Sequence, residues 1–247
     1  MAEVKKVAWQ GAVFFGILVL ATALYVVTIH LVFLSTPLEA KMGIAQKIFY
    51  FHVPSAYGMY LGAIACFAGS CGYLLRPTDG RDALARAGAE TAVAFGLIVL
   101  VTGPLWGRKA WGTYWAWGDP RLTTALLSIL IYIAYVVLRA FTGDGPGERK
   151  FAAALGILGA ANLPIIHFSV EKWSGQHPRV VTDKSGLPTN VGLAPPMVTC
   201  LLVSFAAFTL FAVALIWARY RVELAKSRLA RAEEDAIDLG LDERAEA

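Results

Sequence analysis

Charge is scarce in this chain. Asp, Glu, Lys and Arg make up 16% of its 247 residues, and hydrophobic residues make up 57%. A soluble domain carries roughly a quarter charged residues and about 45–50% apolar ones. It would have no place for this surplus, so the composition, with a mean hydropathy of +0.57, excludes an ordinary globular fold and makes a bilayer the natural solvent. Cysteine is nearly absent as well. Cys66, Cys71 and Cys200 lie in apolar runs and form neither a C-x-x-C pair nor a C-x-x-C-H motif, which leaves them as small packing residues. A formal charge of +4 is too slight to point to nucleic acid. The period-two alternation of barrel strands is missing. After the charged stretch Met1–Lys6, the apolar run from Ala8 to Leu34 has neither the short core nor the small-residue site of a cleaved signal. It is expected to be a retained first helix.

Long apolar runs are what the chain does have. Six stand out, at about 9–34, 53–75, 88–106, 122–141, 151–167 and 195–218. Each is near the ~20 residues a helix needs to cross ~30 Å of hydrocarbon, and backbone groups in lipid must be satisfied within the helix. The expected fold is therefore all-α, an integral membrane bundle of six transmembrane helices. Fourteen of the 22 Lys and Arg fall in the amino terminus, residues 76–87, residues 139–150 and the carboxyl tail. The other eight are Lys41, Lys47, Arg108, Lys109, Arg121, Lys172, Arg179 and Lys184. The richer side faces the cytoplasm, so both termini are expected there. Residues 1–219 form the transmembrane domain in this reading. Residues 220–247 form a charged cytoplasmic tail with acids and bases mixed at i, i+4 spacing.

This topology sends the unusual residues to the opposite face. All four histidines, His30, His52, His167 and His177, fall there. So does W-G-R-K-A-W-G-T-Y-W-A-W-G-D-P-R-L-T over residues 106–123, which holds four of the seven tryptophans. An interfacial aromatic belt accounts for one or two Trp per helix end, but poorly for a cluster mixed with Gly, Asp and Arg. The functional reading is a flat platform of Trp106, Trp111, Trp115 and Trp117 for a planar conjugated ligand. Arg108, Lys109 and Arg121 would pair with carboxylates at its rim. A porphyrin with two propionates fits; a quinone or another aromatic lipid fits less well. Haem iron takes imidazole as axial ligand, and His52 and His177, from different connections, are the candidates. His167, ten positions before His177, is the rival. His30 reads as a satisfied helix-end residue.

The run W-G-x-x-x-W-G-T-Y-W-x-W-x-D-P-R-L-T resembles the WWD signature of the haem-handling protein family. The pieces K-I-F-Y-F-H-V-P-S-A and P-I-I-H-F-S-V-E-K-W-x-x-x-H are similar to those of its small bacterial members, the CcmC-type cytochrome c maturation proteins. Gly118 stands between the last Trp and Asp119, and Lys172 replaces the first of a usual Trp pair. The resemblance implies six transmembrane helices in the bacterial inner membrane and haem held non-covalently, as b-type haem, at the periplasmic face. It implies His52 and His177 as axial ligands, and Trp106, Arg108, Trp111, Trp115, Trp117, Asp119 and Arg121 as cofactor-binding residues. The implied partners are the haem chaperone CcmE, the ABC transporter subunits CcmA and CcmB, and the small membrane protein CcmD. The implied role is delivery rather than catalysis, with assistance to covalent haem attachment on the chaperone left open. Two other readings stand beside it. A b-type cytochrome oxidising quinol calls for histidines deep in the bundle. A plain permease subunit calls for ionisable residues near the midplane.

Overall fold

Each apolar run becomes a helix longer than hydropathy alone marks out. In the computed structural model, which describes residues 2–143, 145–178 and 193–239, the order is α1 (Ala2–His30), α2 (Phe49–Leu75), α3 (Asp79–Trp111), α4 (Pro120–Phe141), α5 (Pro146–Trp173) and α6 (Pro195–Asp238). All six are long and apolar enough to cross a membrane, and no strand occurs among the described residues. The chain is a multi-pass membrane protein. Phe14 meets Trp217 and Tyr25 meets Phe208, so α1 and α6 run antiparallel and the start of α1 lies at the same end as the second half of α6. Arg179, Lys184 and Arg244 lie outside the described residues, as do residues 240–247 of the tail.

Two segments differ from expectation. The third run was expected to stop near residue 106 and release a Trp-rich loop; instead α3 continues to Trp111. Trp106, Arg108, Lys109 and Trp111 are thus helical, and only residues 112–119 are loop. Gly112, at φ +77°, ends the helix in the left-handed conformation that favours glycine. The sixth run continues as one helix of 44 residues, about 66 Å at ~1.5 Å per residue. That is roughly twice the hydrocarbon thickness, so its charged second half projects beyond the bilayer.

The bundle is held by small residues where helices meet. A Cβ on Gly62 would come within 2.5 Å of the Ala92 backbone nitrogen, and one on Gly88 would strike the backbone of Cys66. α2 and α3 therefore touch backbone to backbone. Between α4 and α5, Asn162 Nδ2 donates to Thr124 O at 2.7 Å and Ser128 Oγ at 2.8 Å. The helix ends nearest the termini carry paired charges. Arg139 Nη2 meets Asp82 Oδ2 at 2.8 Å with both residues buried. Glu90 meets Arg219 Nη2 at 2.9 Å, and Arg86 reaches Glu223 at 3.1 Å. These pairs explain how charged residues begin helices that enter lipid.

At the other end the start of α2 is braced from α1. α1 closes in a π-helical turn over Leu31–Ser35, and a 3-10 turn over Ile44–Ile48 leads into α2. Buried Lys47 donates from Nζ to Val32 O and, at 2.9 Å, to Thr36 O. Two helix-end carbonyls are satisfied in this way. His52 follows five residues later.

Candidate functional site

Four helix ends converge where the histidines and tryptophans gather. His52 was expected to open α2. Because the 3-10 turn runs directly into the helix, it instead lies on the first turn, with Pro54 inside the helix. Its half-buried ring lies against α3. Nδ1 is 2.9 Å from Thr102 Oγ1, and a Cβ on Gly103 would sit 3.2 Å from Cε1. One turn further along α3, Trp106 packs edge-to-face on Trp111, with centroids 5.5 Å apart and planes at 84°.

His177 comes from the segment after α5. Its ring lies 6.3 Å from that of Trp111. The segment leaves α5 through Ser174, whose φ of 55° is the single positive value outside glycine among the described residues. Such a conformation costs on the order of 1 kcal/mol and persists where surrounding contacts enforce it.

Asp119 supplies those contacts. It is the N-cap of α4, with Pro120 in the first helical turn. Oδ1 accepts from the backbone N–H of Arg121 at 3.0 Å and of Leu122 at 3.1 Å, the bonding expected of a cap. Oδ2 accepts from His177 N–H at 3.0 Å. A Cβ at position 175 would lie 2.6 Å from Oδ2, so only glycine admits this approach. Asp119 is 2% exposed, and its carboxylate is occupied by three backbone N–H groups.

Arg121 works on the same segment. Nε donates to Ile166 O at 3.2 Å, Nη2 to His167 O at 2.8 Å, and Nη1 to Pro178 O at 3.1 Å. Nη1 also lies 3.3 Å from His177 Nδ1. Burial lowers the His177 pKa below the usual imidazole value, and the Arg121 charge adds to this. The Pro178 carbonyl and the Asp119 carboxylate oppose it. The ring is held neutral, the form in which a nitrogen can bind metal.

The tryptophans do not form one flat platform. Trp115 and Trp117 meet at 61° with centroids 5.8 Å apart, so the four rings make two angled pairs. The reason is packing: indoles in contact favour edge-to-face geometry. Trp117 is 75% exposed. The indole nitrogens of Trp106 and Trp115 are buried and find no acceptor among the described residues. Arg108 reaches the Gly112 carbonyl and covers the Tyr114 ring at 5.7 Å. A recess of about 440 Å³ opens between residues 116–119 and Ser174–Gln176. A second groove, of about 580 Å³, lies at the opposite end beside Thr78, Trp217 and Tyr220 and has no histidine in its lining.

His167 is exposed, with its ring edge-on to Phe168 at 4.9 Å, and His30 is exposed at the end of α1. Glu90, unassigned in the sequence, belongs to the ion pairs at the far end. Sequence reasoning missed Thr102, Gly103, Ser174 and Gly175. Only Thr102 gave a signal, as a hydroxyl in an apolar helix. No group of three or more His, Cys, Asp or Glu able to hold a metal ion occurs among the described residues.

Comparison with known proteins shows what the chain as a whole is similar to. A family model described as "CcmC: Heme exporter protein C" matches residues 2–235. The chain is similar to heme exporter protein C of Bradyrhizobium diazoefficiens, 37% identical over 195 residues, covering 78% of this chain and 72% of the relative. Its similarity to heme exporter protein C of Escherichia coli K12 is also 37%, over 145 residues and 57% of each chain. A protein of Marchantia polymorpha described as a putative cytochrome c biosynthesis ccmC-like mitochondrial protein is 31% identical over 172 residues, covering 70% of this chain and 71% of the relative.

Proposed function

The chain belongs to the heme exporter protein C family, and from that membership we propose that it binds haem at the histidine end of the bundle and passes it on during c-type cytochrome maturation. The receiving protein is the periplasmic chaperone CcmE, with CcmA, CcmB and CcmD as neighbours in the inner membrane. Both termini face the cytoplasm and the haem site faces the periplasm. Haem is cargo here, bound without a covalent bond.

One observation carries this reading. His52 from α2 and His177 from beyond α5, far apart in sequence, both lie against the last turns of α3, His52 at Thr102 and Gly103 and His177 with its ring 6.3 Å from that of Trp111. Each ring engages its neighbours through Nδ1; Nε2 of His52, and of His177 when its Nδ1–H donates to Pro178 O, is the nitrogen offered to iron. A porphyrin fills the four equatorial positions itself, so two imidazoles complete the set. The angled indoles supply apolar walls, and the buried N–H groups of Trp106 and Trp115 are donors suited to propionate oxygens. Arg108 and Lys109 are exposed cations at the end of α3, suited to carboxylates at the ligand rim. Arg121, bonded to three backbone carbonyls, supports the reading chiefly by holding the His177 segment.

Release is the other half of delivery. One ligand stands on a helix and the other on a connecting segment. A segment that opens locally can let cargo leave without disturbing the bundle, since connections unfold at lower cost than packed helices.

The test is the absorption spectrum of protein purified in detergent from cells making haem. The parent is expected to carry a Soret band and the sharp visible bands of six-coordinate haem. His167→Ala, whose exposed ring lies edge-on to Phe168, is expected to match the parent. A parent without haem even when CcmE is co-expressed would overturn the proposal. Loss of the band in His167→Ala would move the second ligand to position 167.

A further inference from the structure

Thr102 is a half-buried hydroxyl on α3, one turn before Trp106, and it has two close neighbours. Its Oγ1 lies 2.6 Å from Ile98 O and 2.9 Å from His52 Nδ1. A hydroxyl has one proton to give and two lone pairs to accept with. The Ile98 carbonyl can only accept, and two bare oxygens at this separation would repel. The hydroxyl proton therefore points to Ile98, the usual back-bond of a helical threonine to residue i−4. Oγ1 is then an acceptor toward His52, and Nδ1 must carry the proton of that bond. A neutral imidazole has a single N–H, so its free lone pair is on Nε2.

We infer that Thr102 is a positioning residue: it locks His52 in the Nδ1–H tautomer, fixes the ring against Gly103 and turns the Nε2 lone pair toward the haem site. Gly103 leaves room for the ring beside Thr102, because a Cβ there would lie 3.2 Å from Cε1. Imidazoles that ligate metals are generally oriented by a partner on the second nitrogen, which also raises ligand basicity. Here that partner is a threonine already polarised by its own bond to the helix.

The same logic does not apply to His177. Its Nδ1 faces the Arg121 donor at 3.3 Å and the Pro178 carbonyl at 3.1 Å, so its surroundings accept either tautomer. The two proposed ligands are unequal, and the ring on the helix is the preset one.

The last step rests on the reading of His52 as an iron ligand, but the tautomer does not, and the experiment separates them. Histidine-15N-labelled, haem-free protein in detergent is examined by NMR, with the His52 signals assigned by their loss in His52→Gln. The parent and Thr102→Ser are expected to show Nδ1 protonated and Nε2 unprotonated. Thr102→Val keeps the shape, loses the acceptor and is expected to show a mixture of both tautomers. In haem titrations of the same three proteins, Thr102→Val is expected to bind about 10-fold to 100-fold more weakly, the usual loss when such a partner is removed. Thr102→Ser is expected to restore the parent value. A parent with Nε2 protonated, or Thr102→Val with an unchanged tautomer, would sink the inference. So would equal haem affinity in all three proteins. If none of the three takes up haem while the NMR shifts follow expectation, the haem reading fails and the tautomer lock stands.

Discussion

His52→Ala and His177→Ala are each expected to abolish the six-coordinate haem spectrum of the purified protein. Each removes one of the two proposed axial donors, and no group of three or more His, Cys, Asp or Glu that could hold the iron instead occurs among the described residues. Both rings are only half-buried, so the bundle has little packing to lose and both variants should accumulate in the membrane as the parent does. The residual spectra should differ in origin. Without His177, haem can still rest on the Trp106–Trp111 pair and bind His52 as a five-coordinate species. Without His52, the remaining ligand sits on a segment with an ambivalent Nδ1, and haem should be lost on washing. A six-coordinate spectrum surviving both substitutions together would mean that iron binds elsewhere, and the clamp would have to be abandoned.

The second large effect is expected at the contact between Asp119 and Gly175. Asp119→Ala removes an N-cap, worth about 1 kcal/mol, and a charge-assisted bond to His177 N–H of the class worth about 1.5–3 kcal/mol. At about 1.4 kcal/mol per tenfold, the second loss alone weakens haem binding by about 10-fold to 100-fold. Asp119→Asn should not rescue it. An amide offers one oxygen where two are used, and it turns N–H donors toward either the cap or His177. Gly175→Val attacks the same contact from the opposite side, because its Cβ would lie 2.6 Å from Oδ2. The carboxylate itself is left intact, and that separates two roles. If Asp119 positions His177, both variants weaken binding and both loosen the segment to limited proteolysis. If Asp119 meets haem directly, Gly175→Val leaves affinity near the parent value. Parent-like affinity in both variants would remove Asp119 from the site.

Much of the fold was legible beforehand. Each of the six apolar runs marks a helix, because hydrocarbon admits only segments that satisfy their own backbone, and that demand is written locally. Helix limits were less legible. Hydropathy ended the third run near residue 106 because Gly107, Arg108 and Lys109 are not apolar, yet a helix tolerates all three and stops only where Gly112 turns left-handed. At the opposite end the apolar run was drawn from residue 88, with Asp82 and Arg86 outside it and Glu90 left unassigned within it, yet α3 begins at Asp79. These three charges are carried by partners from α4 and α6, and such pairing across helices leaves no local trace.

The site shows the same division. Residue types and spacing alone pointed to His52, His177 and the Trp cluster as chemistry at one face, and the WWD resemblance pointed to haem. Alternation of helices across a membrane makes that choice of face almost automatic, since every second connection lies on the same side. The sequence also determined the membrane class, the all-α architecture and the family. Tertiary structure alone decided how the residues divide the work. Arg121 was read as a partner for ligand carboxylates, and the resemblance added Asp119 as a cofactor-binding residue. Folding commits most of their bonds to backbone groups of α4, α5 and the His177 segment. Thr102 and Gly175 had no motif to announce them. Their roles depend on a 2.9 Å approach to a ring fifty residues away and on the absence of a side chain where a carboxylate must pass. Hydrophobicity acts along the chain and can be read there; hydrogen-bond satisfaction is settled among neighbours that only the folded bundle brings together.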